Sequence, residues 1–171
     1  MNYELNLTYY QTGGNVEVFA DGYPTTDTIF PEGTEITLLC TPIDEDYYFD
    51  FIRINGTIVA DEDSLKPYRY VFTLTESVDI YVDFNERDEY ELTLEAPEGY
   101  QAIGGGTYKY LEEVTIQLII DDFSAFAGWY FNDELLSMQN PYVHFIPDFD
   151  VTLEARVNTD IFENLNVRQF A

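Results

Sequence analysis

The residues whose side chains could do chemistry are few in this chain. His144 is the only histidine and Cys40 the only cysteine among 171 residues. A lone histidine excludes metal sites and catalytic pairs that need two imidazoles, and a lone cysteine excludes a disulfide within the chain. No nucleophile stands at a recognisable spacing from a base. We therefore expect a protein that is not an enzyme and that has no catalytic residues, no metal and no cofactor.

Both of these residues have an ordinary structural explanation. Cys40 is in phase with Ile36 and Leu38 along an alternating stretch, so we expect a buried thiol that packs as a small hydrophobe. His144 is out of phase with Val143 and Phe145. If those two face the core, the histidine lies on the solvent side of its strand.

Carboxylates are the abundant chemical group. They cluster at Asp61–Asp63, at Asp121–Asp122 and between Asp83 and Glu89, and carboxylate oxygens are good calcium ligands. None of these clusters has the spacing of a recognised calcium loop. The sequence favours solvated acidic faces that keep the protein soluble, and it leaves calcium binding open.

The aromatic residues indicate packing. Trp129, the only tryptophan, and Phe126 stand in a strand-like stretch, and Phe49 has the corresponding place upstream. We expect these three side chains to be structural core. Tyrosines that recur in close pairs are explained mainly by cross-strand packing, with a contact surface for a protein or glycan as the alternative.

The elements around these residues form an internal repeat. Tyr3–Thr8 aligns with Tyr90–Glu95 at an offset of 87, Ile36–Leu38 with Val114–Ile116 at 78, Phe49 with Phe126 at 77, and Tyr70–Phe72 with Val143–Phe145 at 73. The aligned offset only falls along the chain, as expected for one fold whose loops are shorter in the second copy.

The repeat predicts two domains, residues 1–87 and 88–158, followed by a tail over 159–171. Period-two alternation of apolar residues is typical of strands, and Asn55-Gly56 is a strong hairpin signal. We expect a loop over residues 21–33 and a charged linker over Asn85–Glu89. The predicted fold is all-β: two small β-sandwich (Ig-like) or β-grasp-like repeat domains.

Charge narrows the class of partner. The chain carries a net charge of −26, of which residues 1–87 hold −13, residues 88–158 hold −12 and the tail −1. Such a field repels nucleic-acid phosphates and anionic membrane surfaces. The sequence shows no secretion signal and no apolar run long enough for a membrane span. If Met1 is the natural start, we expect synthesis in the cytoplasm.

The tail combines low charge with apolar side chains. A short helix is predicted there, because Asp160 with Glu163 resembles a capping box. Two explanations stand side by side: the tail folds back onto the second domain, or it docks on a partner protein. The docking candidates are Ile161, Phe162, Leu165 and Phe170.

The order of motifs resembles the bacterial B-repeat families, those of internalin B and the divergent Listeria–Bacteroides repeats. The likeness is carried by Phe126-Ala127-Gly128-Trp129-Tyr130 and by Val151-Thr152-Leu153-Glu154-Ala155, whereas the first copy has Phe51 in place of Gly128 and Ile52 in place of Trp129. The resemblance implies small β-rich modules on surface or virion proteins, with no catalytic residues and no cofactor.

Three functions remain as hypotheses. The first is a structural virion protein made in the host cytoplasm: an auxiliary or decoration protein on a phage capsid, or a head-fibre or tail accessory, whose partner is a capsid or other virion protein. The second is a bacterial cell-surface adhesin module, excised from a longer chain, that binds a host surface protein or glycan. The third and most remote is an acidic inhibitor that mimics DNA.

Overall fold

The computed structural model describes residues 1–158 of the chain. Strands are the main elements along these residues, and a single 3-10 turn at Phe123–Ala125 is the helical element among them. The all-β fold class is therefore confirmed. The chain divides into two compact units between Arg87 and Asp88. The predicted tail, 159–171, lies outside the described residues, and so does its predicted helix.

The first unit contains nine strands in two sheets. A large sheet has the order β4-β1-β9-β6-β7 and a small sheet the order β3-β2-β5-β8. The strands are β1 (Asn2–Tyr9), β2 (Gly14–Ala20), β3 (Tyr23–Thr25), β4 (Ile29–Pro31), β5 (Glu35–Pro42), β6 (Tyr47–Ile54), β7 (Thr57–Ala60), β8 (Tyr68–Thr73) and β9 (Val78–Glu86).

One core lies between these two sheets, and alternation explains it. In β5 the side chains of Ile36, Leu38 and Cys40 are fully buried, because successive strand residues point to opposite faces. The same core takes Phe49 from β6 and Phe84 from β9, both of the large sheet. Two sheets that share one apolar layer give the unit its β-sandwich-like character.

The second unit repeats this plan with eight strands. Its large sheet has the order β12-β10-β17-β14-β15 and its small sheet the order β11-β13-β16. The strands are β10 (Glu89–Glu95), β11 (Gln101–Ile103), β12 (Gly106–Lys109), β13 (Glu113–Ile119), β14 (Phe126–Phe131), β15 (Glu134–Ser137), β16 (Tyr142–Phe145) and β17 (Val151–Val157).

The two units match residue by residue in their pairing. The first strand of each runs parallel to the last, with Leu5 opposite Val78 in one and Leu92 opposite Val151 in the other. Both units carry a register shift after the leading phenylalanine of the central antiparallel strand, at Phe49 and at Phe126. β3 is the one strand of the first unit without a counterpart among the described residues of the second.

Each unit also has the same tight hairpin after that central strand. Asn55 and Gly56 have φ of 48° and 82°, and Asn132 and Asp133 have φ of 47° and 67°. Two consecutive residues with positive φ form the turn whose twist matches paired strands. The predicted hairpin at Asn55-Gly56 is therefore present, and Asn132-Asp133 repeats it.

Two segments predicted from the sequence, a loop and a linker, were wrong in their bounds or type. Residues 21–33, expected as a loop, contain β3 and β4, which are only three residues long and contain Pro24 and Pro31. The expected linker over Asn85–Glu89 shrinks to Arg87 and Asp88, because β9 continues through Glu86 and β10 begins at Glu89.

The repeat alignment was wrong by one residue in β16. Ile36 pairs with Phe72, and its equivalent Val114 pairs with His144. Phe72 therefore corresponds to His144 and not to Phe145. The offset falls to 72 in this strand and rises again to 73 at β17, because the second unit has one more residue between these strands.

Candidate functional site

The three expected core aromatics lie in the interior. Phe49 and Trp129 are fully buried and Phe126 is nearly so. The rings of Phe126 and Trp129 meet edge to face with centroids 6.0 Å apart, a favourable arrangement for aromatic pairs. The indole Nε1 of Trp129 is buried and has no hydrogen-bond partner among the described residues. With no exposed face, Trp129 is unsuited to stacking on a ligand.

His144 is placed on the opposite side from the one expected. Val143 and Phe145 are exposed by 48% and 57%, whereas Ile146 is buried, so the strand is turned with His144 towards the core. Its ring lies 6.0 Å from that of Tyr142. The Nε2 atom is buried without a partner among residues 1–158. Burial lowers the pKa of His144, which favours a neutral imidazole.

A carboxylate cluster that the sequence missed lies on the first unit. Asp50, the extra residue of the β6 irregularity, is close to Asp63 and Asp83 and accepts a hydrogen bond from Asn85. Burial, followed by the negative charge of Asp63, raises the pKa of Asp50 to about 6. These residues are dispersed in sequence, so only the fold brings them together.

The described residues offer no metal centre. Across residues 1–158, no group of three or more histidine, cysteine, aspartate or glutamate side chains is arranged to hold an ion. Cys40 is a free and buried thiol, and burial raises its pKa to about 12. A thiol with that pKa stays protonated and unreactive at neutral pH.

The outer face of the second unit's small sheet has a single charged residue. Val114, Ile116 and Leu118 point inward, so the alternating residues of β13 and its neighbours point outward. Glu113 is the only charged residue among them. This face comprises Gln101, Ile103, Glu113, Thr115, Gln117, Ile119, Val143 and Phe145.

The first unit has the corresponding face. Its charged members are Glu17, Glu35 and Arg69, two acids and one base, which give this face a net charge of −1. The full set is Asn15, Glu17, Phe19, Pro24, Glu35, Thr37, Leu39, Thr41, Arg69, Val71 and Thr73, of which Thr37 is buried by its neighbours. The cross-strand pair of Thr37 with Val71 recurs as Thr115 with Val143. We call these two surfaces the small-sheet faces.

The outer faces of the large sheets carry the acids instead. β10 exposes Glu89, Glu91 and Glu95 on its outer side, and β9 places Asp79 and Asp83 outward. The second unit is therefore electrostatically two-sided. Its large-sheet face is acidic and repels anions, whereas its small-sheet face has one charged residue, Glu113.

The large-sheet face also carries arginine over an aromatic ring. In the second unit the guanidinium of Arg156 lies 4.1 Å from the ring centre of Tyr130 and pairs with Glu154 and Asp133. In the first unit Arg53 lies over Phe51 and Tyr81. These contacts occupy the arginine side chains within their own unit, which makes them surface packing contacts rather than an open anion site.

A groove of about 760 Å³ runs along β2 in the first unit. It is formed by most of β2 and by the end of the β3 hairpin, and its lining residues are Asn15, Val16, Glu17, Val18, Phe19, Pro24, Thr25 and Thr26. The groove was not predicted from the sequence, because residues 21–33 were expected to form a loop. The available signal for a sheet edge was the alternation of β2, followed by two segments that each contain a proline.

The predicted docking candidates Ile161, Phe162, Leu165 and Phe170 lie outside the described residues, so the tail hypothesis stays a prediction. No protein-family model matches the chain, and no curated protein matches it. The resemblance to the B-repeats likewise stays a prediction. Within residues 1–158, the structure contains no helix with the length and apolar character needed to cross a membrane.

Proposed function

We propose that the protein is a non-enzymatic structural component of a virion, an auxiliary or decoration protein on a phage capsid or a head-fibre or tail accessory. The observation that supports this most is the charge distribution of the second unit, whose small-sheet face has one charged residue while the outer face of its large sheet is acidic. A module whose small-sheet face is nearly free of charge can dock that face on another protein while its acidic face stays in water.

The apolar residues of the second unit's small-sheet face favour protein as the docked partner. Val143 and Phe145 lie side by side on the outer face of β16 and are about half exposed. Ile103 and Ile119 add apolar surface on the neighbouring strands. Exposed apolar groups grouped on one face of a soluble module are typical of protein interaction sites.

The test is association with virus particles. Particles are purified through a density gradient from a lysate of the source culture, and the chain is quantified in the particle fraction. We expect it there in a fixed ratio to the major capsid protein. Its absence from the particles would refute the virion assignment.

A matched pair of variants tests the surface. Val143→Asp with Phe145→Asp adds two charges to the small-sheet face, and Thr93→Asp with Thr152→Asp adds the same two charges to the outer large-sheet face of the same unit. We expect only the first variant to lose binding to particles. Equal binding by both, with equal melting temperatures, would remove this face from the attachment site.

A bacterial cell-surface binding module is the second candidate, favoured by the B-repeat-like strand Phe126–Phe131. The same fractionation separates the two functions. Recovery of the chain in the cell envelope, and not with particles, would support the surface module.

A further inference from the structure

The second strand of the first unit has an open edge over half its length. β3 pairs with β2 only at Val18, Phe19 and Ala20. Among residues 1–158, no strand lies beside Asn15–Glu17 on that side. The opposite side of β2 is fully paired, from Gly14 to Ala20, with β5.

The backbone groups of Val16 point towards this open edge. The carbonyl of Gly13 accepts from the N–H of Ile43 at 2.9 Å, and the N–H of Asp21 donates to the carbonyl of Glu35 at 2.8 Å. Odd-numbered residues of β2 therefore bond towards β5. Because an antiparallel strand alternates in direction, the N–H and C=O of even-numbered Val16 face the other way.

The groove along β2 lies beside the end of β3 and extends past it. After the pair of Val18 with Thr25, the chain turns away towards β4, and the N–H of Asp27 donates to the Oγ1 of Thr25 at 3.0 Å. The space of about 760 Å³ lies next to Asn15, Val16 and Glu17. A strand that continued the line of β3 would fill it.

We propose that the groove along β2 binds an extended segment of a partner polypeptide, added as a strand beside Asn15–Glu17, with an apolar residue opposite Val16 and basic residues on either side. Backbone hydrogen bonds to Val16 hold the segment, and the alternating side chains select it. This is strand addition to an open sheet edge.

The residues of β2 determine which side chains the bound segment should have. Val16 points into the core and is only 8% exposed, so the residue opposite it meets an apolar surface. Asn15 and Glu17 point outward, so the flanking residues of the segment lie beside a carboxylate. The unit carries −13, which attracts a basic segment and opposes a second copy of this acidic chain.

The groove is particular to the first unit. The wall formed by Pro24–Thr26 belongs to the β3 hairpin, and the described part of the second unit has no counterpart of β3. The inference therefore goes beyond the virion assignment. It concerns one peptide groove on one unit, and it does not require that the chain belong to a particle.

The experiment uses two fluorescent peptides of equal charge and the full chain. The first is Lys-Val-Lys-Val-Lys-Val-Lys, and the second replaces each valine by proline, which removes the backbone N–H at those positions. Binding is measured by fluorescence anisotropy at about 0.15 M salt, where screening weakens nonspecific charge attraction. We expect the valine peptide to bind about ten-fold more tightly or better, as for one backbone hydrogen bond lost and its partner left unpaired.

Val16→Pro removes the N–H that faces the groove without removing a hydrogen bond to β5. We expect it to abolish the preference for the valine peptide and also to lower the melting temperature, because the Val16 side chain packs in the core. Val16→Thr keeps the N–H and is the matched control, which should retain the preference. Equal binding of both peptides by the wild type would overturn the proposal, and so would a folded Val16→Pro variant that still prefers the valine peptide.

Discussion

Replacing Trp129 with alanine should unfold the second unit or bring it close to unfolding, while the first unit stays folded. The indole is fully buried and packs edge to face on Phe126. Removing a large buried aromatic costs about 3–5 kcal/mol. A unit of this size has about 4–10 kcal/mol of stability in total, at about 0.05–0.15 kcal/mol per residue. The loss is therefore a third of the stability or more.

The expected shift is large enough to measure directly. One kcal/mol lowers the melting temperature of a domain this small by about 4–8 °C, so the second unit's transition should fall by about 12 °C or more. Calorimetry is the assay of choice, because the substitution removes the only tryptophan. In the wild type, tryptophan fluorescence during urea unfolding reports on the second unit alone.

Two further variants control this experiment. Ile52→Ala alters the corresponding position of the first unit, where the side chain is also fully buried, and should lower only the first unit's transition. Trp129→Phe keeps an aromatic ring and removes the unpaired Nε1–H, whose burial costs about 1–3 kcal/mol, so it should cost much less than alanine. An unchanged transition in Trp129→Ala would refute the assignment of this residue to the core.

Two other predictions concern pH, and they have opposite signs in the two units. Burial lowers the pKa of His144 from 6.5, so the unfolded chain binds a proton more readily than the folded one. The second unit should therefore lose stability as pH falls below about 6.5. His144→Phe, which places the residue of the equivalent Phe72 in the second unit, should remove this pH dependence, as measured by urea titrations at pH 5 and 7. Burial and Asp63 raise the pKa of Asp50 from 3.8 to about 6, so the folded first unit holds a proton that the unfolded chain releases. Its stability should therefore fall as pH rises through this range. Asp50→Asn should stabilise the first unit at pH 7 and reduce the dependence of its stability on pH. If either substitution leaves the pH dependence of its unit unchanged, the replaced residue is not the cause of that dependence.

Much of the fold could be predicted because the core strands alternate without ambiguity. Ile36, Leu38 and Cys40 leave only one face for the core, and Asn55-Gly56 specifies the hairpin by itself. The short strands β3 and β4 could not be predicted, because three residues with one proline each carry no periodic signal. They form because neighbouring strands supply pairing partners, which is tertiary information.

The Asp50 cluster shows a second limit. Asp63 follows Asp50 by 13 residues and Asp83 follows Asp63 by 20, and each is one acid among many. Asp83 comes close to Asp50 through the irregularity in β6 and the pairing of β6 with β9, and Asp63 through the bridge between its neighbour Ser64 and Phe49. A composition with so many acids hides such a cluster until the register of the sheet is known.

The wrong prediction for the side of the strand on which His144 lies has a physical cause, and this cause supports the small-sheet face as the proposed docking surface. In most strands an apolar face marks the core and a polar face marks water, so register can be read from the pattern. β16 has apolar residues on both faces: Tyr142 faces the core with His144, whereas Val143 and Phe145 face solvent. The more apolar of the two faces points outward, which a strand evolved only for folding in water would avoid. A partner that covers Val143 and Phe145 removes the conflict, because both faces of the strand are then buried. The simple pattern thus fails at the small-sheet face, the surface on which the proposed docking depends.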